Sequence, residues 1–133
     1  MPSWIVCGAL LGALGVALGA FGAHLLPARL EALGWAADEV TRRLAIFDTA
    51  ARYQMLHALA LLAVGLLALR SSSLLLNMAG GSMLVGVLVF SGLLYVLVFA
   101  GPAWRWLGAV VPIGGVLMVV GWTLLAVAAW RHS

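Results

Sequence analysis

Four long apolar runs divide the chain, near residues 4–26, 50–69, 74–99 and 105–130. About 20 helical residues cross the hydrocarbon core of a bilayer, so each run is long enough to span it. The links after the second and third runs are short, Arg70-Ser71-Ser72-Ser73 and Ala100-Gly101-Pro102-Ala103-Trp104. Short links make consecutive helices antiparallel neighbours. The link after the first run, residues 27–49, is different. Leu26, Leu30, Leu33, Ala37, Val40, Leu44 and Phe47 recur every three or four residues, with Arg29, Glu31, Asp38, Glu39, Arg42 and Arg43 between them. This predicts an amphipathic segment at the membrane surface, interrupted around Gly34-Trp35. Its second half should run into the second span, with a bend near Asp48-Thr49. The expected fold is all-α and polytopic: a single domain over 1–133 with four transmembrane helices and an amphipathic interfacial segment between the first and second. Pro112, early in the fourth run, predicts a kink or a frayed first turn.

Small residues pattern the first run as strongly as apolar ones do. Gly8, Gly12, Gly15, Gly19 and Gly22 step alternately by four and three, which lines them along one side of a helix. In water each mid-helix glycine costs roughly 1 kcal/mol against alanine. In a membrane such a seam is explained by close approach of a neighbouring helix. Ala13, Ala17, Ala20 and His24 form a second small stripe on another side. A helix that is small on two sides predicts a central position with neighbours on both. Gly114 and Gly115 invite similar packing in the fourth run.

Composition agrees with the pattern. Of 133 residues, 65% are hydrophobic and 8% charged, with a mean hydropathy of +1.18. Soluble domains are about 25% charged, so an ordinary water-facing surface is excluded. All seven basic residues are Arg, and the formal charge is +3. They are scattered over helix ends and largely matched by Glu31, Asp38, Glu39 and Asp48, which argues against a nucleic-acid partner. They read instead as anchors at the membrane interface. Five of them (29, 42, 43, 52, 105) belong to one side and two (70, 131) to the other. The positive-inside rule then places both termini away from the cytoplasm. Residues 1–26 lack the basic start of a signal peptide and exceed its usual apolar length, so they are expected to be a retained span. Cys7 stands alone and cannot form an internal disulfide.

The polar residues fall to one side when ordered by depth. His24 closes the first span. Thr49, Tyr53 and His57 share a face of the second, with Gln54 beside them. Ser91 and Tyr95 lie near the end of the third. Antiparallel spans bring these toward the face beneath 27–49, and His24, Tyr53, Gln54, His57, Ser91 and Tyr95 are therefore a candidate ligand pocket. Plainer readings stand beside it. His24 fits a bond to a backbone carbonyl or headgroup, and Tyr53 and Tyr95 fit an aromatic belt. His57 fits either a polar staple between helices or a binding group. Asp48 and Arg52 read as a surface ion pair worth little. Trp122 reads as core, the other tryptophans as interface anchors. No paired carboxylates, clustered metal ligands, phosphate loop or nucleophile elbow occurs. No catalytic residue, metal or cofactor is expected.

These residues, in order, resemble a known family. The motifs are Gly19-Ala20-Phe21-Gly22-Ala23-His24, then Thr49-Ala50 with Tyr53-Gln54 and His57-Ala58-Leu59, then Phe90-Ser91-Gly92 with Tyr95, then Pro112-Ile113-Gly114-Gly115 with Gly121-Trp122. The chain is similar over nearly its whole length to the domain-of-unknown-function 423 family, also called UPF0382. The resemblance implies a four-span protein of the bacterial inner membrane, with mitochondrial relatives in animals, and implies no activity. Leu93 stands where the family pattern commonly has serine, and Val111 where a polar residue commonly precedes the proline. Both remove a polar group from the candidate pocket. The leading expectation is a non-enzymatic scaffold or accessory subunit in the lipid bilayer, packing with itself as a homo-oligomer or with a larger membrane complex. The alternative is a ligand-binding or transport module.

Overall fold

The structure is a computed structural model and describes residues 3–132. It is all-α. α1 (Trp4–His24) meets the short α2 (Leu26–Ala32) at Leu25. The turn after α2 uses Gly34 at φ 89°, a left-handed conformation that other residues rarely adopt. α3 (Ala37–Arg70) opens with Asp38 and Glu39 in its first turn, where the helix dipole favours carboxylates. α4 (Leu74–Phe99) is capped by Ser73, whose hydroxyl accepts from the Leu76 N–H at 3.2 Å. A 3₁₀ stretch, Pro102–Ala109, then leads into α5 (Val111–His132). Pro112 therefore sits in the first turn of α5, where its missing N–H costs nothing. Four helical segments are long and apolar enough to cross a bilayer: α1, α3, α4, and the 3₁₀ stretch with α5.

One expectation holds here and one is corrected. As expected, the second half of the interfacial segment runs into the second span, and the two form one continuous helix of 34 residues through Asp48-Thr49. At about 1.5 Å per residue it is roughly 50 Å long, so its charged N-terminal part extends beyond the hydrocarbon. The central helix is α3, not α1. Only 11% of the apolar stretch of Trp4–His24 is buried within the protein, against 39% for that of Ala37–Arg70. The helices neighbour one another in chain order, α1 on α3, α3 on α4 and α4 on α5. The glycine side of α1 meets α3, while Ala13, Ala17, Ala20 and His24 face outward.

The glycines differ in what they face. A Cβ at Gly8 would lie 2.6 Å from the Ala58 carbonyl oxygen, and one at Gly22 2.6 Å from the Phe47 ring. At Gly15 it would lie 2.5 Å from Met55 Sδ, the flexible end of a side chain. Gly12 has ordinary room, 3.9 Å from the Ala58 Cβ, and Gly19 opens on empty space. On α5, a Cβ at Gly114 would meet the Phe90 backbone nitrogen at 2.5 Å, whereas at Gly115 the Phe90 ring is 3.9 Å away.

The connector is tied down by an apolar cluster and one arginine. Leu26 and Leu30 of α2 are fully buried with Val40 and Phe47 of α3 and Val98 of α4. Beside them Arg43 is buried, its Nη1 donating to the carbonyls of Leu97 (3.3 Å), Val98 (2.5 Å) and Ala100 (3.0 Å). The last carbonyls of a helix have no N–H partner within it, and Arg43 supplies one for α4. Its Nε donates to Glu39 at 2.9 Å, and its guanidinium lies 3.6 Å over the Trp35 ring.

The glycine geometry predicts a graded series. Gly8→Ala and Gly114→Ala press a methyl group against backbone and should each cost about 1–3 kcal/mol. Gly15→Ala displaces only Met55 and should cost less, and Gly19→Ala should not destabilise. Thermal unfolding in detergent measures all four. An equal loss at Gly19 and Gly8 would contradict the packing described.

Candidate functional site

Two of the candidate residues, Gln54 and His57, lie on the buried stripe of α3, where Arg43, Phe47, Ala50, Gln54, His57 and Leu61 recur at helical spacing. Gln54 bridges three helices. Its Nε2 donates to the Leu11 carbonyl of α1 at 2.9 Å, and its Oε1 accepts from the Tyr95 hydroxyl of α4 at 2.7 Å. The Leu11 carbonyl can only accept, which assigns the amide orientation. One turn away, Ser91 Oγ donates to the Ala50 carbonyl at 2.8 Å. Tyr95 also packs its ring on Phe47, centroids 5.0 Å apart, and Phe47 on Phe21 at 6.0 Å.

His57 belongs to a second group facing α5. Its Nδ1 lies 2.8 Å from the Tyr53 carbonyl, and Trp122 Nε1 donates to its Nε2 at 3.2 Å. A carbonyl only accepts and an indole N–H only donates, so both bonds are satisfied by the tautomer protonated on Nδ1. The Tyr53 ring stacks parallel to His57 and packs against Phe90, centroids 4.6 Å apart. These rings, with Pro112 and Trp122, line a groove of about 520 Å³ between α3 and α5. Trp122 is half exposed there, which corrects its expected core position.

The candidate set thus divides. Gln54, Ser91 and Tyr95 form a staple joining α1, α3 and α4; His57 and Tyr53 border the groove; His24 stands apart. Gly22, two residues before His24, faces Phe47, and His57 lies about 15 Å further along α3 at about 1.5 Å per residue. His24 is exposed at the end of α1. The register of α1 on α3 decides this, since Gly22 lies at the level of Phe47, in the first half of α3 and well before His57. Every buried side-chain nitrogen and oxygen among the described residues has a hydrogen-bond partner. No three His, Cys, Asp or Glu side chains among them are placed to hold a metal. Two residues gained importance that reading by depth did not assign: Trp122 and Arg43. Arg43 was legible in its spacing, since it lies on the same stripe as Phe47, Ala50 and Gln54.

Asp48 and Arg52 pair at 2.6 Å with both side chains exposed, as expected of a surface pair. Glu39 is held more firmly. Arg42 donates to it through Nη2 at 2.7 Å and Nε at 3.1 Å, and Arg43 adds a third bond. The Arg42 guanidinium, with smaller help from Arg43, lowers the Glu39 carboxyl from its ordinary 4.5 to about 2.

Two outcomes follow from these contacts. Replacing Gln54 by Ala strands the Tyr95 hydroxyl and should cost about 1–3 kcal/mol in thermal unfolding, with the larger part retained by Gln54→Glu protonated at low pH. Because the Glu39 pKa is depressed, its stabilisation is complete above the unfolded value near 4.5 and is lost as pH falls toward about 2. Glu39→Gln should flatten that part of the Tm profile, and an unchanged profile would rule out its contribution.

The sequence profile of the family described as "Protein of unknown function (DUF423)" matches residues 18–115. A UPF0382 membrane protein of Staphylococcus epidermidis is 39% identical over 133 residues, covering 100% of this chain and 99% of that protein. UPF0382 membrane protein YwdK of Bacillus subtilis is 35% identical over 133 residues, 99% of each chain. A UPF0382 membrane protein of Haemophilus influenzae is 42% identical over 125 residues, 94% of this chain and 91% of that one. No solved structure matches the chain. With four apolar helices, a family profile over most of its length and full-length relatives of this kind, the chain belongs to the DUF423 (UPF0382) family of membrane proteins, whose function is unknown.

Proposed function

We propose that this protein acts without catalysis, as a scaffold or accessory subunit of the bacterial cytoplasmic membrane that offers α1 to another transmembrane helix. The supporting observation is the outward side of α1. Ala13, Ala17 and Ala20 are exposed there, and the space beside Gly19 is open. In lipid, helices associate through close packing at small residues rather than through a hydrophobic drive. The partner is either a second copy or a helix of a larger complex, since both use the same surface. The Arg-rich 27–49 segment and the connection holding Arg105 face the cytoplasm in this reading, with both termini on the periplasmic side.

A second reading rests on Tyr53. Its hydroxyl has no partner among the described residues, and its side chain is half exposed in the groove beside His57. A hydroxyl at membrane depth favours an acceptor. A ligand-binding role would use that groove, with Gln54 and Tyr95 only supporting it.

The test of the first reading places a cysteine at Ala13 or Ala17 in a Cys7→Ser background and oxidises native membranes. The expected result is a cross-linked species, either a dimer or an adduct with another membrane protein; monomer alone at both positions defeats the proposal. A co-purifying small molecule lost in Tyr53→Phe would favour the second reading. Reporter fusions at Ser133 check the orientation, which fails if only a cytoplasm-active reporter works.

A further inference from the structure

We propose that a cleft between the start of α3 and the 3₁₀ stretch is a selective site for a phospholipid headgroup that carries a hydrogen-bond donor beyond its phosphate, an ammonium or a hydroxyl. The cleft measures about 620 Å³ and is lined by Asp38, Glu39, Arg42, Arg43 and Arg105, with Ile46 and Leu97 forming an apolar wall. It stands apart from the aromatic groove and from the outer side of α1.

The charges in the cleft are not all spent within the protein. Glu39 is occupied by Arg42 and Arg43, and Arg43 Nη1 is occupied by the carbonyls at the end of α4. Arg105 and Asp38 remain, neither with a hydrogen-bond or ion-pair partner among the described residues. A free guanidinium and a free carboxylate thus line one cleft without pairing with each other. Arg42 adds spare capacity, since its bonds to Glu39 use only Nε and Nη2.

Level and polarity identify what complements this pair. Trp104 and Trp106 flank Arg105 and are exposed, as aromatic rings are at the headgroup level of a bilayer. A phosphodiester suits the guanidinium groups of Arg105 and Arg42, which bind planar pairs of oxygens. Asp38, as a carboxylate, only accepts, so it takes a hydrogen bond from an ammonium or hydroxyl group and none from a choline nitrogen, which has no N–H and leaves only a weaker, solvent-screened attraction. Ile46 and Leu97 continue the cleft toward the hydrocarbon, where acyl chains leave the headgroup. A free phosphate would leave both Asp38 and that wall unused.

Full-length protein in mild detergent, titrated with short-chain lipids and followed by thermal unfolding and native mass spectrometry, tests the assignment. Phosphatidylethanolamine and phosphatidylglycerol should raise Tm by about 5 °C or more near saturation, and phosphatidylcholine should not. Arg105→Ala should abolish the rise, and Asp38→Asn should reduce it to the phosphatidylcholine level. Arg105 is exposed and unpaired, so Arg105→Ala should not change Tm without lipid. Asp38→Asn gives up a carboxylate in the first turn of α3 and should lower that Tm slightly, so each rise is read against the variant's own lipid-free Tm. An equal rise with phosphatidylcholine, a rise that survives Arg105→Ala, the same rise from inorganic phosphate alone, or no rise with any lipid would each overturn the proposal.

Discussion

Lipid offers no hydrogen-bond partner, and α3 carries the polar groups that must therefore be matched inside the protein. Arg43, Gln54 and His57 are all buried on it, and the other buried polar side chain among the described residues, Ser91, bonds to its backbone. Each of the three reaches a different neighbour: the end of α4, the middle of α1 together with Tyr95, and Trp122 on α5. Left unpaired, Gln54 or His57 would cost several kcal/mol in hydrocarbon, and Arg43 would be a buried charge without a partner. Directional bonds of this kind set the rotation and height of each helix against α3, which apolar contact alone would leave free to slide.

Close approach complements those bonds. Gly8 and Gly22 let α1 rest against α3, and Gly114 does the same for α5 on α4. The result is a row of helices in which each end member has one packed side. On α1 the unpacked side carries the small stripe of Ala13, Ala17 and Ala20 among the exposed Val6, Leu10, Leu14 and Val16. A lipid chain fills such a surface poorly, whereas another helix can fill it well. That small stripe, left open to another helix, is the basis for reading the protein as one that assembles.

Three regions differ chemically along the same fold. The Gln54 staple is saturated and rigid. The groove beside Tyr53 and Trp122 is aromatic and has one uncommitted hydroxyl. The Arg105 cleft holds opposite charges near the exposed Trp104 and Trp106, next to the arginine that closes α4. Only the first is explained by stability alone, because its bonds end within the protein.

Much of this was legible in the chain. The four spans follow from the length of the apolar runs, and the surface position of 27–49 from alternating leucines and charges. The presence of a polar layer near Gln54 follows from placing polar residues where lipid penalises them. The family itself is legible in ordered motifs. Three matters belonged to tertiary structure. Whether α1 or α3 is central depends on which side of each helix finds a neighbour, and α1 is small on both of the sides compared. Whether His24 joins His57 depends on the height at which α1 rests on α3, and Gly22 comes to lie against Phe47, well before His57. Whether Arg43 anchors a surface or closes a helix depends on the carbonyls of Leu97, Val98 and Ala100 arriving beside it from far along the chain. Periodicity records which side of a helix a residue occupies; only packing brings a second chain segment to that side.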